Sequence, residues 1–290
     1  MATTFGLRAA AFVLLLVFWV TWGWGTENHR EEVPIRVQRG YLIVAPGSIG
    51  GAEKLNFLID TGTVPTLVSR RLTQKLGLAG PEFEISIWGQ RTRINLVKLP
   101  VLQLGSMRVE NLQVFAIDMQ PVEQELGMRL DAVLGVDALS PTSFTIDYAR
   151  KVISFGVPSN KDLAIAMELR DSPAPYVVLP AEIEGKPVHL LLDTGAKGLT
   201  LLELRAQQLG LKTNPFAGSA GVDALIPIPL EQVRLGKRTF KVRNASLRRV
   251  PQDSLRDFDG FIGPTSIGII RFGVDFAAKE LYIEVQNPSK

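Results

Sequence analysis

The sequence predicts an all-β protein built from two related units. Residues 35–155 and 174–285 repeat one order of landmarks, and in both units short apolar runs alternate with turn-forming glycine and proline. Residues 1–26 stand apart because they hold a single long apolar run. The predicted organisation is a first lobe at residues 35–156, a linker at 157–173 and a second lobe at 174–286.

Composition narrows the classes of function. The 290 residues are enough for one large or two modest domains, and 46% hydrophobic content argues against a disordered chain. The net charge of +3, without a basic run interleaved with aromatic residues, argues against a nucleic-acid partner. The absence of cysteine excludes disulfides, thiolate catalysis and Cys-type zinc sites. His29 and His189 have no metal-ligand company, so we expect neither a metal nor a cofactor.

The amino-terminal segment has the pattern of a targeting sequence. Arg8 precedes the apolar run from Ala9 to Trp24, and acidic, hydrophilic sequence follows. This order predicts a hydrophobic helix that is an export signal or a short membrane anchor, with a buried core helix as the alternative. We therefore expect an exported protein that works outside the cytoplasm, in the periplasm, secreted or tethered to the membrane.

The repeat centres on one tripeptide that occurs twice. Asp60-Thr61-Gly62 and Asp193-Thr194-Gly195 each close an apolar, strand-like run. The offset of 133 positions between them also separates Gly77 from Gly210, and it falls to 128 between Gly135 and Gly263. Because the order of landmarks is kept while a few residues are lost, a duplicated unit explains the pattern.

Each unit opens with a strand, at residues 41–44 and 176–179, and continues through a turn into the strand before the tripeptide. Short helices are predicted next, at residues 69–76 and 202–209, each followed by a glycine suited to a helix end.

A hairpin is predicted after the first helix. Apolar and polar residues alternate from Phe83 to Leu96, interrupted by Trp88-Gly89-Gln90 at the tip. The counterpart in the second unit, residues 216–228, is less regular. Both units close with strand-rich segments, at residues 144–155 and 272–285.

An aspartate at a strand end followed by threonine and glycine suits acid–base chemistry. The glycine permits a tight turn that brings backbone amides near the carboxylate. If two such turns meet across a pseudo-twofold axis, the carboxyl groups share one proton, and the pair can take a proton from water while donating one to a carbonyl oxygen. Such a pair hydrolyses amides without a metal, a thiol or a histidine. The alternative for each tripeptide is an ordinary turn.

The sequence resembles the aspartic proteases, most closely the retropepsin-like group. The resemblance rests on Leu58 to Thr63 and Leu191 to Ala196, each paired with a later apolar-apolar-glycine element, Val133-Leu134-Gly135 and Phe261-Ile262-Gly263. Asp131 and Asp259 precede these elements at matching places. The resemblance covers about residues 35–285. It implies two closed β-barrel lobes related by a pseudo-twofold axis, each with a short helix.

The resemblance also implies roles for single residues. Asp60 and Asp193 would be the catalytic pair of an endopeptidase, Thr61 and Thr194 would bond across the lobe interface, and Gly62 and Gly195 would form the turns. Trp88, Gly89 and Gln90 would belong to a flap over an extended polypeptide substrate. Position 63 is Thr and position 196 is Ala, so Thr63 can stabilise ionised Asp60. We therefore hypothesise that Asp193 more often carries the shared proton.

Three alternatives remain open at the level of sequence. The protein could be a catalytically inactive member of the fold that binds extended peptides in the cell envelope. The lobes could pair with those of another chain in a homodimer, although we expect a monomer. The two lobes could also fail to form a common cleft.

Overall fold

The computed structural model describes residues 31–87, 90–159, 163–171, 175–211, 225–249 and 258–286. Within these ranges the chain is mostly β-structure, arranged as one sheet in each lobe and a third sheet shared by both. The strands of the first half are β1 (Glu32–Pro34), β2 (Arg36–Gln38), β3 (Leu42–Ile49), β4 (Ala52–Ile59), β5 (Leu67–Ser69), β6 (Glu82–Ile87), β7 (Gln90–Lys98), β8 (Val101–Leu104), β9 (Met107–Glu110), β10 (Gln113–Ile117), β11 (Ala132–Leu134), β12 (Phe144–Asp147) and β13 (Val152–Phe155).

The second half contributes the remaining strands of the described ranges. Its strands are β14 (Ala164–Ala166), β15 (Glu168–Asp171), β16 (Pro175–Ile183), β17 (Lys186–Leu192), β18 (Leu199–Leu202), β19 (Leu225–Pro227), β20 (Gln232–Leu235), β21 (Arg238–Lys241), β22 (Ala245–Arg248), β23 (Gly260–Ile262), β24 (Ile269–Asp275) and β25 (Glu280–Val285). The helices in the described ranges are α1 (Arg70–Lys75), α2 (Gln120–Leu126), α3 (Val136–Leu139) and α4 (Glu203–Leu209), with a 3₁₀ helix at Pro264–Ile267.

The sequence repeat becomes a repeat of sheet topology. The first lobe has the strand order β6-β7-β10-β5-β11-β4-β3-β8-β9, with β2 paired to β3. The second has the order β19-β22-β18-β23-β17-β16-β20-β21, with β15 paired to β16. From β7 and β19 onward the two orders are the same, strand for strand. The prediction of two related, β-rich lobes is thus confirmed.

The prediction of closed barrels is not confirmed. Within the described ranges each lobe sheet has two ends, because β6 and β9 in the first lobe, and β19 and β21 in the second, each pair with a single strand. Closure requires hydrogen bonds between the end strands, and no such pairing joins them in this part of the chain.

The shared sheet joins the lobes in the order β1-β13-β12-β24-β25-β14. Strand β12 pairs with β24 antiparallel, and Phe144 lies opposite Val274 while Ile146 lies opposite Phe272. The 128-residue offset makes these two pairs equivalent, so the pair of Thr145 and Gly273 lies on the local pseudo-twofold axis.

The predicted linker contributes to both sheets of the second half. Strand β14 pairs with β25 in the shared sheet, and β15 pairs with β16 in the second lobe. Strand β1, which lies just before the predicted start of the first lobe, pairs with β13. The exact domain bounds stay a prediction.

One hydrophobic core runs through both lobes and the shared sheet. Phe57 and Ile59 of β4 belong to it, together with Phe144 and Phe272 of the shared sheet. Leu58, between them, points to the opposite face of β4 and belongs to a second, smaller cluster. Because β4 is buried on both faces, its sequence reads as an unbroken apolar run instead of an alternating one.

The predicted short helices are present as α1 and α4. Each is followed within two residues by a glycine with positive φ, 66° at Gly77 and 77° at Gly210. Helix α2 was not predicted. It has a proline in its first turn, a left-handed Gly127 at its end, and Val122 and Leu126 packed on the smaller cluster. These are signals that the sequence does contain.

The predicted amino-terminal helix lies outside the described residues. In the part of the chain that is described, no helix is both long enough and apolar enough to cross a membrane.

Candidate active site

The two aspartates lie at the ends of equivalent strands. Asp60 follows β4 and its backbone N–H donates to the carbonyl of Leu134, while Asp193 follows β17 and donates to the carbonyl of Ile262, each bond 3.0 Å long. Strands β11 and β23 run parallel to β4 and β17 and supply those carbonyls. Each apolar-apolar-glycine element thus lies beside its aspartate turn and holds it in place.

Each turn folds its own carboxylate back onto the backbone. The amide of Gly62 donates to Oδ1 of Asp60 at 2.9 Å, and the amide of Gly195 donates to Oδ1 of Asp193 at 2.8 Å. These bonds orient the carboxyl groups and stabilise their ionised forms.

The threonines of the two turns hydrogen-bond across the lobe interface. The hydroxyl of Thr61 donates to the carbonyl of Leu192 at 2.7 Å and accepts from the amide of Thr194 at 3.1 Å. The hydroxyl of Thr194 makes the reciprocal bonds, to the carbonyl of Ile59 at 2.7 Å and from the amide of Thr61 at 3.1 Å. Both threonines are fully buried, so these four bonds fix the two turns to each other.

The carboxyl groups meet within one chain. A Cβ added to Gly62 would lie 2.6 Å from Cγ of Asp193, and a Cβ added to Gly195 would lie 2.9 Å from Oδ2 of Asp60. Each carboxyl group therefore packs against the glycine of the opposite turn, at a distance that no side chain on that glycine permits. The alternative in which the lobes form no common cleft does not match this geometry.

The electrostatics of the pair are unequal. Desolvation raises the pKa of Asp193 well above its ordinary value, and the charge of Asp60 and a hydrogen bond with Asp60 raise it further. The backbone amides of Gly195 and Ala196 lower that pKa only in part. Thr63 donates its hydroxyl to Oδ2 of Asp60 at 2.8 Å, whereas Ala196 has no hydroxyl to offer Asp193. The arrangement favours a proton on Asp193.

Two cavities open on either side of the aspartates. The first-lobe cavity has a volume of about 390 Å³ and the second-lobe cavity about 540 Å³. Both are lined by Tyr41, Asp60 and Gly195, so the carboxyl pair lies where they join. The first-lobe cavity is also lined by Leu42, Leu58, Pro121, Val122, Glu125, Leu126 and Val133. Together the cavities form a cleft that passes over the aspartates.

Sequence reasoning missed the contribution of Tyr41 and α2 to this cleft. Arg39 donates to Oε1 of Glu125 at 2.8 Å and also to the Glu125 carbonyl, which ties the end of α2 to the turn between β2 and β3 that carries Tyr41. Burial raises the pKa of Tyr41 against the opposing effect of Arg39, with further contributions from Glu125 and Asp193. The sequence marked Tyr41 only as the start of a strand.

The predicted flap is described only up to its tip. Strands β6 and β7 form an antiparallel hairpin in which Ile87 lies opposite Gln90. Trp88, Gly89 and the side chain of Gln90 lie outside the described residues, as does most of the second-lobe counterpart. The flap role of these three residues stays a prediction. No group of three or more His, Cys, Asp or Glu side chains suited to a metal ion occurs in the described ranges.

Comparison with known proteins agrees with this geometry. The family model for aspartyl proteases matches residues 45–138 and 179–276. One matched range falls in each lobe, and each contains an Asp-Thr-Gly turn with its supporting strand. A search of curated proteins found no match. Since the matched ranges cover more than half of the chain, the protein belongs to the aspartyl protease family.

Proposed function

We propose that the protein is an aspartic endopeptidase that hydrolyses peptide bonds with a water molecule activated between Asp60 and Asp193. The observation that carries this proposal is the packing of each carboxyl group against the glycine of the other turn. Membership of the aspartyl protease family supports the same type of chemistry.

We assign the proton transfers from the different environments of the two carboxyl groups. Ionised Asp60 takes a proton from the water as its oxygen attacks the peptide carbonyl carbon, while neutral Asp193 donates its proton to the carbonyl oxygen. The tetrahedral intermediate then collapses: the proton on Asp60 passes to the leaving nitrogen, the C–N bond breaks, and a hydroxyl proton returns to Asp193. The pair ends in its starting state.

The cleft suits an extended polypeptide. We propose that the substrate crosses the carboxyl pair from the first-lobe cavity to the second-lobe cavity, beneath a flap formed by Trp88, Gly89 and Gln90. Because both turns come from one chain, we propose a monomeric enzyme, with a homodimer as the alternative. We further propose that residues 1–26 export the protein or tether it to the membrane, which places its activity outside the cytoplasm.

The test is cleavage of unstructured polypeptides by the purified protein over a range of pH. Peptide-bond hydrolysis with internal cleavage sites supports the endopeptidase. Binding of the same peptides without turnover supports the alternative, an inactive member of the family that binds extended peptides in the cell envelope. Specific activity that does not change on dilution supports the monomer, and loss on dilution supports the homodimer.

Replacing Thr63 with Ala is expected to move the acidic limb of the pH–rate profile to higher pH. The hydroxyl of Thr63 donates to Asp60 and stabilises the ionised form that accepts the proton of water. Without that bond, a higher pH is needed to reach the singly ionised pair. The measurement is kcat/KM against pH for wild type, Thr63→Ala and Thr63→Ser. The serine variant keeps the hydroxyl and should follow wild type; an unmoved profile in Thr63→Ala would refute the assignment.

Replacing Gly62 with Ala is expected to lower kcat/KM by about 10²-fold, because the added methyl group must push the Asp193 carboxyl out of position. Gly195→Ala should act in the same direction through Asp60. Circular dichroism and thermal denaturation establish that both variants are folded. A folded Gly62→Ala protein with activity within about twofold of wild type, far from the loss expected for a misplaced carboxyl group, contradicts the packing argument.

A further inference from the structure

Pseudosymmetry identifies which residues of the two lobe sheets are equivalent. Phe115 of β10 lies opposite Leu67 of β5, and Ser246 of β22 lies opposite Thr200 of β18 in the same parallel register. Leu67 therefore corresponds to Thr200, Phe115 to Ser246 and, two residues on, Ile117 to Arg248. At these three equivalent positions the face of the sheet is apolar in the first lobe and polar in the second.

The two faces have different surroundings. In the first lobe, Leu67 and Ile117 are buried in the smaller apolar cluster, against which Val122 and Leu126 of α2 pack. In the second lobe, the hydroxyl groups of Thr200 and Ser246 hydrogen-bond to each other at 2.9 Å, and both residues line the second-lobe cavity.

Among the described residues that line the second-lobe cavity, the charged side chains outside the catalytic pair are cationic. Lys197 and Arg248 line it, and the acidic residues among its described lining are Asp60 and Asp193. Lys197 follows the Asp193 turn and occupies the position that Val64 has in the first lobe. The described lining thus carries two cationic side chains beside a catalytic pair that shares one proton.

The first-lobe cavity lacks this character within its described lining. Apart from Asp60, its charged residue is Glu125, whose carboxylate is paired with Arg39 at 2.8 Å. The rest of the lining is largely aliphatic. Within the described lining, the second-lobe side of the cleft therefore carries two cations and two hydroxyl groups beside the apolar Leu225, Pro227 and Phe261, and the first-lobe side carries neither a Lys nor an Arg.

We propose that Lys197 and Arg248 determine specificity by binding an acidic side chain of the substrate in the second-lobe cavity, while the first-lobe cavity takes an apolar side chain. This inference rests on the proposed endopeptidase function. Ammonium and guanidinium groups make charge-assisted hydrogen bonds to a carboxylate. One hydroxyl of the Thr200–Ser246 pair donates to the other, so the pair supplies one further donor. A basic side chain in the same place is repelled.

The first experiment measures cleavage of a set of peptides. Members of the set carry Glu, Gln or Lys at one position, and that position is varied along both sides of the scissile bond. At one position, kcat/KM should be about tenfold higher for Glu than for Gln, as one charge-assisted bond provides, and lowest for Lys. The preference should weaken with added salt. Cleavage with no preference for Glu at any position overturns the inference and leaves the endopeptidase intact.

Variants assign the preference to the two cations. Lys197→Gln and Arg248→Gln should each reduce the ratio of Glu to Gln, and Lys197→Glu should shift the preference toward Lys. Lys241→Gln is the matched control, because Lys241 is an exposed cation on β21 that does not line the cavity, and it should keep the wild-type ratio. A ratio unchanged in Lys197→Gln and Arg248→Gln overturns the assignment.

Binding separates failure of this inference from failure of the proposed function. In the full-chain Asp193→Asn variant, fluorescence anisotropy of labelled Glu and Gln peptides measures affinity without turnover. Tighter binding of the Glu peptide, lost in the double variant with Lys197→Gln, supports the cationic cavity even if wild type cleaves nothing. Equal affinities for the two peptides overturn it.

Discussion

Replacing Asp193 with Asn is expected to lower kcat/KM by roughly 10³-fold or more, and Asp60→Asn should do the same, because each variant removes one side of the proton exchange. Asparagine has nearly the same size and shape as aspartate and keeps an oxygen that accepts hydrogen bonds. The turns should therefore stay folded. Peptide hydrolysis by wild type, both variants and Glu53→Gln measures the effect. Glu53 is an exposed carboxylate near the start of β4, and its variant should keep wild-type activity. More than about a tenth of wild-type activity in either aspartate variant contradicts the proposed catalytic pair.

The raised pKa of Asp193 should also be visible in how the stability of the folded protein depends on pH. The pKa of Asp193 is raised in the folded protein, mainly by desolvation, so the folded state holds this proton more tightly than the unfolded chain does. This group therefore favours folding most below its unfolded pKa, and that contribution is lost as pH rises toward the folded value. Asparagine does not titrate. Relative to wild type, Asp193→Asn should thus gain thermal stability as pH is raised from acidic to neutral, and a difference independent of pH would contradict the raised pKa.

Replacing Thr61 or Thr194 with Ala is expected to have the largest effect on stability. Each hydroxyl satisfies one buried carbonyl and one buried amide of the opposite lobe, and alanine leaves both without their partner. An unsatisfied buried group costs about 1–3 kcal/mol, so each substitution should lower the free energy of unfolding by about 2–5 kcal/mol. Thermal denaturation should show a fall of about 2–4 °C in Tm for each kcal/mol.

Serine variants are the control for the threonine substitutions. Thr61→Ser and Thr194→Ser keep the hydroxyl group and should lose much less stability than the alanine variants. The double alanine variant should be less destabilised than the sum of the single variants, because the two hydroxyl groups act on the same pair of turns. Serine and alanine variants of equal stability, or strictly additive alanine effects, would show that the reciprocal bonds do not hold the lobes together.

Several features of the site were predictable because they are local in the chain. The run Phe57-Leu58-Ile59 is unbroken because β4 is buried on both faces, and the aspartate follows where that strand ends. The glycines after α1 and α4 mark helix ends in sequence and have positive φ in the structure. The family resemblance predicts that the two threonines bond across the lobe interface, and the structure shows these hydrogen bonds between the two turns.

Other features depend on packing between distant segments. The pairing of β12 with β24 joins residues more than a hundred positions apart, and neither strand shows in its own sequence which partner it takes. Helix α2 is short, and it is stabilised by the packing of Val122 and Leu126 against the apolar face of the first-lobe sheet. Whether a lobe sheet closes likewise depends on long-range hydrogen bonds, and among the described residues none joins the end strands.

The amino-acid sequence alone was sufficient to predict the duplicated β-rich architecture and the two Asp-Thr-Gly turns. Both depend on short-range patterns of apolar, turn-forming and acidic residues. The meeting of the two carboxyl groups, the raised pKa of Asp193 and the difference in charged lining between the two cavities arise only in the folded chain. The reason is physical: desolvation, charge coupling and the register of one strand against another are properties of distances through space, which a linear pattern does not contain.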